Sequence, residues 1–262
     1  MSQSTPIQRR PREPEHQVEV GPSPRWVRVV VNGETIADSK RVQLLSETGQ
    51  RPVYYFPKED VHMDLLQPTD HHTHCPYKGD ASYWTMRVGD RVAENAVWSY
   101  VNPLPLGEPV RDHLAFYWNR VDAWYEEAEQ IFGHPRDPHH RVDVLESTRH
   151  VQVVIDGQTV AETNRPRLLF ETTHPTRYYI PPEDVRMDLL APTDKHTRCP
   201  YKGEASYWSA KVGDTQLPDI VWSYPDPIPE CPKIKGYLSF FNEKVNMFVE
   251  AELQERPITG WS

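Results

Sequence analysis

The chain has 262 residues, a formal net charge of −9 and an isoelectric point near 5.7, with 26% charged and 11% aromatic residues. That aromatic content, with 8 Trp and 13 Tyr, excludes a disordered chain, because ordering entropy has to be offset by buried apolar area. The acidic balance argues against a nucleic-acid partner, which would call for a basic footprint, and no apolar run reaches the ~20 residues needed to span a membrane.

The 26 prolines favour loop-rich β structure over long helices, since proline fixes φ and removes a backbone donor. The N-terminal MSQSTPIQRRPREPEHQ has basic residues but no following hydrophobic run, so no signal peptide is expected. Three cysteines without a CxxC pair fit a reducing compartment, and the expectation is a cytoplasmic protein.

The chain is a duplication. Residues 54–89 return at 178–213 with a constant offset of 124, and 26 of the 36 positions are identical. The same offset aligns residues 11–20 with 135–144. The period is too long for a solenoid, whose repeats run ~20–50 residues. The chain therefore divides into a tail (1–10), two domains (11–134 and 135–258) and a short end (259–262), and the two units are expected to pack on each other.

In chain order, each unit opens with a proline-stiffened arm, Pro11-Arg12-Glu13-Pro14 or Pro135-Arg136-Asp137-Pro138. A hairpin follows: residues 27–31 and 34–38 flank Asn32-Gly33, and residues 151–155 and 158–162 flank Asp156-Gly157, the dipeptides of a type I′ turn. Strands are expected around Leu44-Leu45 and 168–170, ending at Glu47 and Glu171, and at 53–56 and 177–180. Pro57 to Val61 reads as one helical turn whose acids face the positive end of its dipole, and Glu183 and Asp184 repeat it. Pro68-Thr69-Asp70 reads as a loop running to Cys75. Residues 81–88 and 205–212 read as long strands, and 97–100 and 221–224 as short ones. Residues 114–118 and 121–126 fit strands better than one helix, being aromatic and β-branched on both sides of a polar break. The fold class is mainly β: two tandem compact sandwich or barrel domains, tent-like, with short helical turns.

Chemistry concentrates at Cys-Pro-Tyr-Lys-Gly, residues 75–79 and 199–203. His72, Cys75 and Lys78, matched by His196, Cys199 and Lys202, place an imidazole, a thiol and an ammonium at intervals of three. A thiol so placed is a candidate nucleophile, and the lysine a candidate holder of phosphate or carboxylate. The plain alternative is a turn, with Pro76 leading, Gly79 supplying a positive φ, the cysteine buried and the lysine solvated. Tyr77, Lys78, Tyr83 and Trp84, and Tyr201, Lys202, Tyr207 and Trp208, are the candidate ligand-binding residues. Asp70, His72 and Cys75 offer metal donors, and copy one adds His71 and His74, but copy two carries Lys195 and Arg198 there; with paired short motifs absent, no metal and no cofactor are expected. Glu59, Asp60 and Asp64, with Glu183, Asp184 and Asp188, could serve as general acids or metal ligands, but helix-start charge stabilisation explains Glu59 and Asp60 without any function. Trp98, Tyr100, Trp222 and Tyr224 are read as core rather than as a stacking platform.

The strings Ala37-Asp38-Ser39, YYFPKEDV (54–61), THCPYKGDASYW (73–84), Trp-Ser-Tyr followed by Asn-Pro or Pro-Asp-Pro, and HPRDPHHRVDV (134–144) resemble the family named domain of unknown function 427, which also carries a nucleotidyltransferase-like label. The resemblance covers both units nearly end to end. It implies a compact β-rich two-sheet domain in tandem; the Gly-Ser and paired-Asp metal site of the large nucleotidyltransferase superfamily has no counterpart in this sequence. The reading that follows is a tandem module binding a small molecule or peptide, one pocket per unit near the Cys-Pro-Tyr-Lys-Gly turn. The alternatives are an enzyme acting on nucleotides or through an activated cysteine, and a non-catalytic structural or interaction protein.

Overall fold

A computed structural model describes residues 16–262, so the arm expected at 11–14 lies outside the described residues. The chain forms two compact units dividing between Pro135 and Arg136. The first contains β1 (Val18–Pro22), β2 (Val27–Val31), β3 (Glu34–Ser39), β4 (Gln43–Glu47), β5 (Val53–Pro57), β6 (Leu66–Cys75), β7 (Gly79–Val88), β8 (Arg91–Pro103), β9 (His113–Phe116), β10 (Ala123–Glu126) and β11 (Glu129–Ile131). The second repeats this as β12 (Val142–Glu146), β13 (Val151–Ile155), β14 (Gln158–Thr163), β15 (Arg167–Glu171), β16 (Arg177–Ile180), β17 (Leu190–Cys199), β18 (Gly203–Val212), β19 (Thr215–Ser223), β20 (Leu238–Phe240), β21 (Asn246–Val249) and β22 (Glu252–Leu253). Helical structure among the described residues is limited to short 3-10 turns, including Lys58–Asp60 and Pro182–Asp184.

Each unit is a pair of antiparallel sheets. In the first unit the order is β1-β4-β5-β9-β8-β7-β6 in the large sheet and β11-β10-β2-β3 in the small one; the second unit has β12-β15-β16-β20-β19-β18-β17 and β14-β13-β21-β22. The hairpins form where the Asx-Gly dipeptides require them, with φ of 49° at Asn32 and 78° at Gly33, and 48° and 74° at Asp156 and Gly157. The opening hairpin then pairs with a late strand, Val29 opposite Trp124 and Val153 opposite Met247. This brings the two ends of each repeat into one sheet.

The large sheet is buried on both faces. One face packs on the small sheet through Val29, Ile36, Phe56, Met86, Val88, Phe116 and Trp124. The opposite face carries a second apolar layer of Leu45, Tyr55, Ala81, Tyr83, Tyr100, Val110 and Ala115, with Val18, Val20, Cys75 and Trp98 at its margin. Successive strand side chains point to opposite faces, so a strand covered on both sides reads as an unbroken apolar run. That is why Val53-Tyr54-Tyr55-Phe56 shows no alternation: Tyr54 and Phe56 enter the inter-sheet core, Val53 and Tyr55 the outer layer.

Two expectations are corrected. The loop expected from Pro68 to Cys75 is strand β6, and its counterpart is β17. The polar composition reflects edge position: both strands are mostly exposed and interrupted in register between Pro68 and His72 or Pro192 and His196. An edge tolerates a residue that cannot donate to the ladder. The segments 114–118 and 121–126 do contribute strands, His113–Phe116 and Ala123–Glu126, on either side of the 3-10 turn Trp118–Arg120, but the strands belong to different sheets: β9 pairs with β5 and β8, β10 with β2 and β11.

Ser239 marks a local difference between the copies. Its hydroxyl is buried without a hydrogen-bond partner, whereas the matching residue of the first unit is Ala115 in the outer apolar layer. Ser239→Ala is expected to leave unfolding free energy unchanged or to raise it by up to ~1 kcal/mol, measured by urea denaturation, because an unpaired hydroxyl is removed without losing a bond.

Candidate functional site

The Cys-Pro-Tyr-Lys-Gly segment is the reversal between the edge strand and its neighbour. Cys75 closes β6 opposite Gly79, which opens β7, and Cys199 and Gly203 repeat the pairing. The glycines adopt φ of +94° and +108°; a Cβ on Gly79 would stand 3.1 Å from the Leu104 nitrogen, and one on Gly203 3.3 Å from the Asp226 oxygen. The lysine carbonyls accept the Leu104 and Ile228 amide hydrogens at 3.0 and 3.1 Å, so the chain after β8 or β19 clamps the turn.

That clamp places the lysine inside the protein rather than in solvent. Lys78 and Lys202 are 6% and 8% exposed. The Lys78 ammonium donates to Glu47, the last residue of β4, and Lys202 reaches both carboxylate oxygens of Glu171 at 2.6 and 2.7 Å. The same carboxylates accept His16 Nε2 at 3.1 Å and His140 Nε2 at 3.0 Å. Each imidazole stacks on the tyrosine of the motif, His16 on Tyr77 at 3.5 Å and His140 on Tyr201 at 4.2 Å. The Tyr201 hydroxyl also accepts the Asp137 amide at 2.7 Å. Lysine, glutamate, histidine and tyrosine thus form a brace tying the turn to a distant strand and to the segment preceding the first strand of the unit.

Burial by itself would raise the Glu171 carboxyl. The Lys202 charge, the Lys202 hydrogen bonds and the His140 contact outweigh it and hold the group below its ordinary value of 4.5. A carboxylate depressed in this way stabilises the fold above its unfolded pKa, and the contribution is lost as pH falls through the lower, folded value. Glu243, held down by Arg177, acts in the same sense. Thermal stability is expected to hold from neutrality to about pH 5 and to fall below it, and Glu171→Gln should flatten that acid limb in melting curves taken against pH.

The remaining motif residues face different surroundings. Cys75 lies at the margin of the outer apolar layer with Tyr100, whose phenol is pushed up by burial and by the Cys75 thiol. His72 is exposed on the edge strand, its Nδ1 donating to the Ala81 carbonyl at 3.3 Å; His196 is exposed as well, 3.7 Å from Glu204. The candidate ligand residues also separate. Tyr83 and Tyr207 lie in the outer layer, while Trp84 and Trp208 point through the sheet onto the inter-sheet core. Adjacent residues on one strand cannot line one pocket. Glu59 and Asp60 are claimed by Arg41, as Glu183 and Asp184 are by Arg165. Among the described residues no cluster of three or more His, Cys, Asp or Glu is arranged to hold a metal.

Beside the brace, the outer layer opens into an aromatic surface. In the first unit Trp98 and Tyr117 lie with ring centroids 4.6 Å apart, the Tyr83 hydroxyl is 2.8 Å from Thr73 Oγ1 and 3.5 Å from the Tyr117 hydroxyl, and His71 meets the Tyr83 ring edge-on at 4.6 Å. Trp98 Nε1 donates to the Tyr55 hydroxyl at 3.2 Å. Tyr117 is 40% exposed, and partial burial with the Tyr83 contact pushes its phenol up to about 12. The second unit has Trp222, Phe241, Tyr207 and Thr197 at these positions. It adds Arg177 where the first unit has Val53, Glu243 where it has Asn119, and Cys231 where it has Gly107. Burial pushes the Cys231 thiol up to about 11. Glu47, Glu171, His16 and His140 lie outside the Cys-Pro-Tyr-Lys-Gly motif; their one signal in the sequence is that the His–Glu spacing of 31 residues recurs in both copies.

Fold and site together define a tandem two-sheet β module with a braced turn and an aromatic outer layer in each copy. The family described as domain of unknown function 427 matches residues 19–127 and again residues 143–251, and the chain belongs to that family, in two copies. A search of curated proteins finds no match. No helix among the described residues is long and apolar enough to cross a membrane.

Proposed function

We propose that the protein is a tandem binding module for a small molecule or peptide, and that the ligand seat is the aromatic surface beside the Cys-Pro-Tyr-Lys-Gly turn rather than the turn itself. The carrying observation is the dispersal of the three reactive groups: Lys78 is spent on Glu47, His72 stands in solvent on the edge strand, and Cys75 adjoins the apolar outer layer. Nucleophilic catalysis needs thiol and base within hydrogen-bond reach of each other. The aromatic surface, by contrast, has the features of a recognition site. Trp98 is half-buried and Tyr117 40% exposed with their rings in contact, and the hydroxyls of Tyr83, Thr73 and Tyr117 sit within reach of one another to fix a ligand's polar atoms. The brace holds β4 and the turn in place next to this seat.

The test compares wild type with Trp98→Ala and Tyr117→Ala in a thermal-shift screen of nucleotides, sugars, planar heterocycles and short peptides. A ligand that raises the wild-type melting temperature and loses about tenfold or more in affinity on either substitution supports the seat. Ligands unaffected by both substitutions refute it. The cysteine alternative is decided separately: Cys75 should resist iodoacetamide at pH 6 as an ordinary thiol does, and rapid alkylation there would favour an activated nucleophile.

A further inference from the structure

The two aromatic surfaces are not equally open. After β11 the first copy runs on into the second unit, whereas after β22 the chain turns back across the aromatic surface of its own unit. Residues 259–262 form a tight turn, the Thr259 amide donating to Ser262 Oγ at 2.9 Å and the Trp261 amide to Thr259 Oγ1 at 3.1 Å. The turn delivers the Trp261 indole to Arg177, 5.4 Å from the guanidinium carbon, and beside His174 and Phe241 at 5.7 and 6.4 Å. The Thr259 hydroxyl donates to Glu243 at 2.7 Å. Arg177 is itself fixed by two bonds to Glu243, at 2.6 and 2.7 Å, and one to Asn242, and lies 5.4 Å from the Trp222 ring and 5.9 Å from Phe241. Trp222 is 7% exposed, while its counterpart Trp98 is only half-buried.

We infer that the aromatic face of the second unit is a recognition surface for an indole-bearing peptide, covered in cis by residues 257–262 of the same chain, with Trp261 lying over it at 45% exposure. The inference rests on the reading of this face as a ligand seat and names its ligand class. Four features make it a site rather than incidental packing. A planar cation lies against the indole, the arrangement that suits cation–π attraction. That cation is held in position by a carboxylate with no side-chain exposure. The carboxylate's oxygen also receives the hydroxyl of the incoming segment, giving a polar anchor beside the apolar one. The first unit, with Val53 and Asn119 at these positions, has neither cation nor carboxylate, so the surface there takes a different ligand.

The test uses the full chain carrying Thr259→Ala and Trp261→Ala, which uncovers the surface while leaving its residues in place, and a synthetic peptide with the sequence of residues 254–262. Titration calorimetry should show one peptide bound per chain. A tethered segment acts at an effective concentration of the order of 1 mM, so wild type should bind the peptide about tenfold more weakly than the variant when the variant's Kd is near ~100 μM. The same peptide with alanine for tryptophan should lose about tenfold or more. Adding Arg177→Val and Glu243→Asn to the variant should abolish binding, with near-ultraviolet circular dichroism confirming the native fold. No binding to the uncovered variant, equal binding to wild type, or two peptides per chain would each overturn the inference. The aromatic seat of the first unit would be untouched by that result, since its test reads Trp98 and Tyr117.

Discussion

Lys78→Met is expected to lower the stability of the first unit by about 3–5 kcal/mol, because it leaves Glu47 buried without its principal counter-charge. The Glu47 side chain is 9% exposed, Lys78 7%, and the only other described partner of the carboxylate is His16. Taking both charges out of water is itself costly, so the pair contributes little in net terms while the loss of one partner is severe. Lys78→Met combined with Glu47→Leu should therefore recover to within about 1 kcal/mol of wild type. Urea unfolding of the three proteins reads the comparison directly. A single substitution costing under about 1 kcal/mol would show that the clamp at Leu104 and the glycine geometry hold the turn without the brace. The same pair of experiments on Lys202 and Glu171 should give the same signs, the geometry there being bidentate.

Glu243→Ala is expected to cost the second unit a similar ~3–5 kcal/mol, since Arg177 would keep its charge in a buried position among three aromatic rings. The duplication supplies the control. The first unit is built with Val53 and Asn119 at these positions, so Arg177→Val with Glu243→Asn rewrites the second unit in residues its own fold accommodates, and most of the loss should return. Denaturation curves of the single and double variants measure it. If the double variant were as unstable as the single, the pair would be holding the unit together by more than its mutual compensation.

These expectations show where local reading succeeds and where it stops. Asn32-Gly33 and Asp156-Gly157 name their own turns, because only residues tolerant of positive φ fit them, and both hairpins form there. Tyr83 and Trp84 were legible as strand residues, but not the separation of their side chains onto opposite faces of a sheet covered on both sides. Pro68 and its polar neighbours looked like a loop because a proline in a strand is admissible only at an edge, and edge position is a property of the whole sheet. By sequence Lys78 reads as a solvated or ligand-contacting charge; nothing within ten residues of it announces Glu47, which lies 31 residues away on another strand. Arg177, Glu243 and Trp261 are likewise scattered along the chain, and no periodicity links them.

The sequence by itself determined that the chain is two copies of one β domain, where most strands and turns lie, and which family it belongs to. Those properties rest on backbone chemistry and on direct comparison of residues, both of which are local. Only the tertiary structure decided that the conspicuous lysine is a buried brace, that the histidine and cysteine of the motif face apart, and that the two aromatic surfaces differ in being open or covered. Pairing of buried charges and exposure of ring faces depend on which strands become neighbours, and strand order is set by packing of the whole unit.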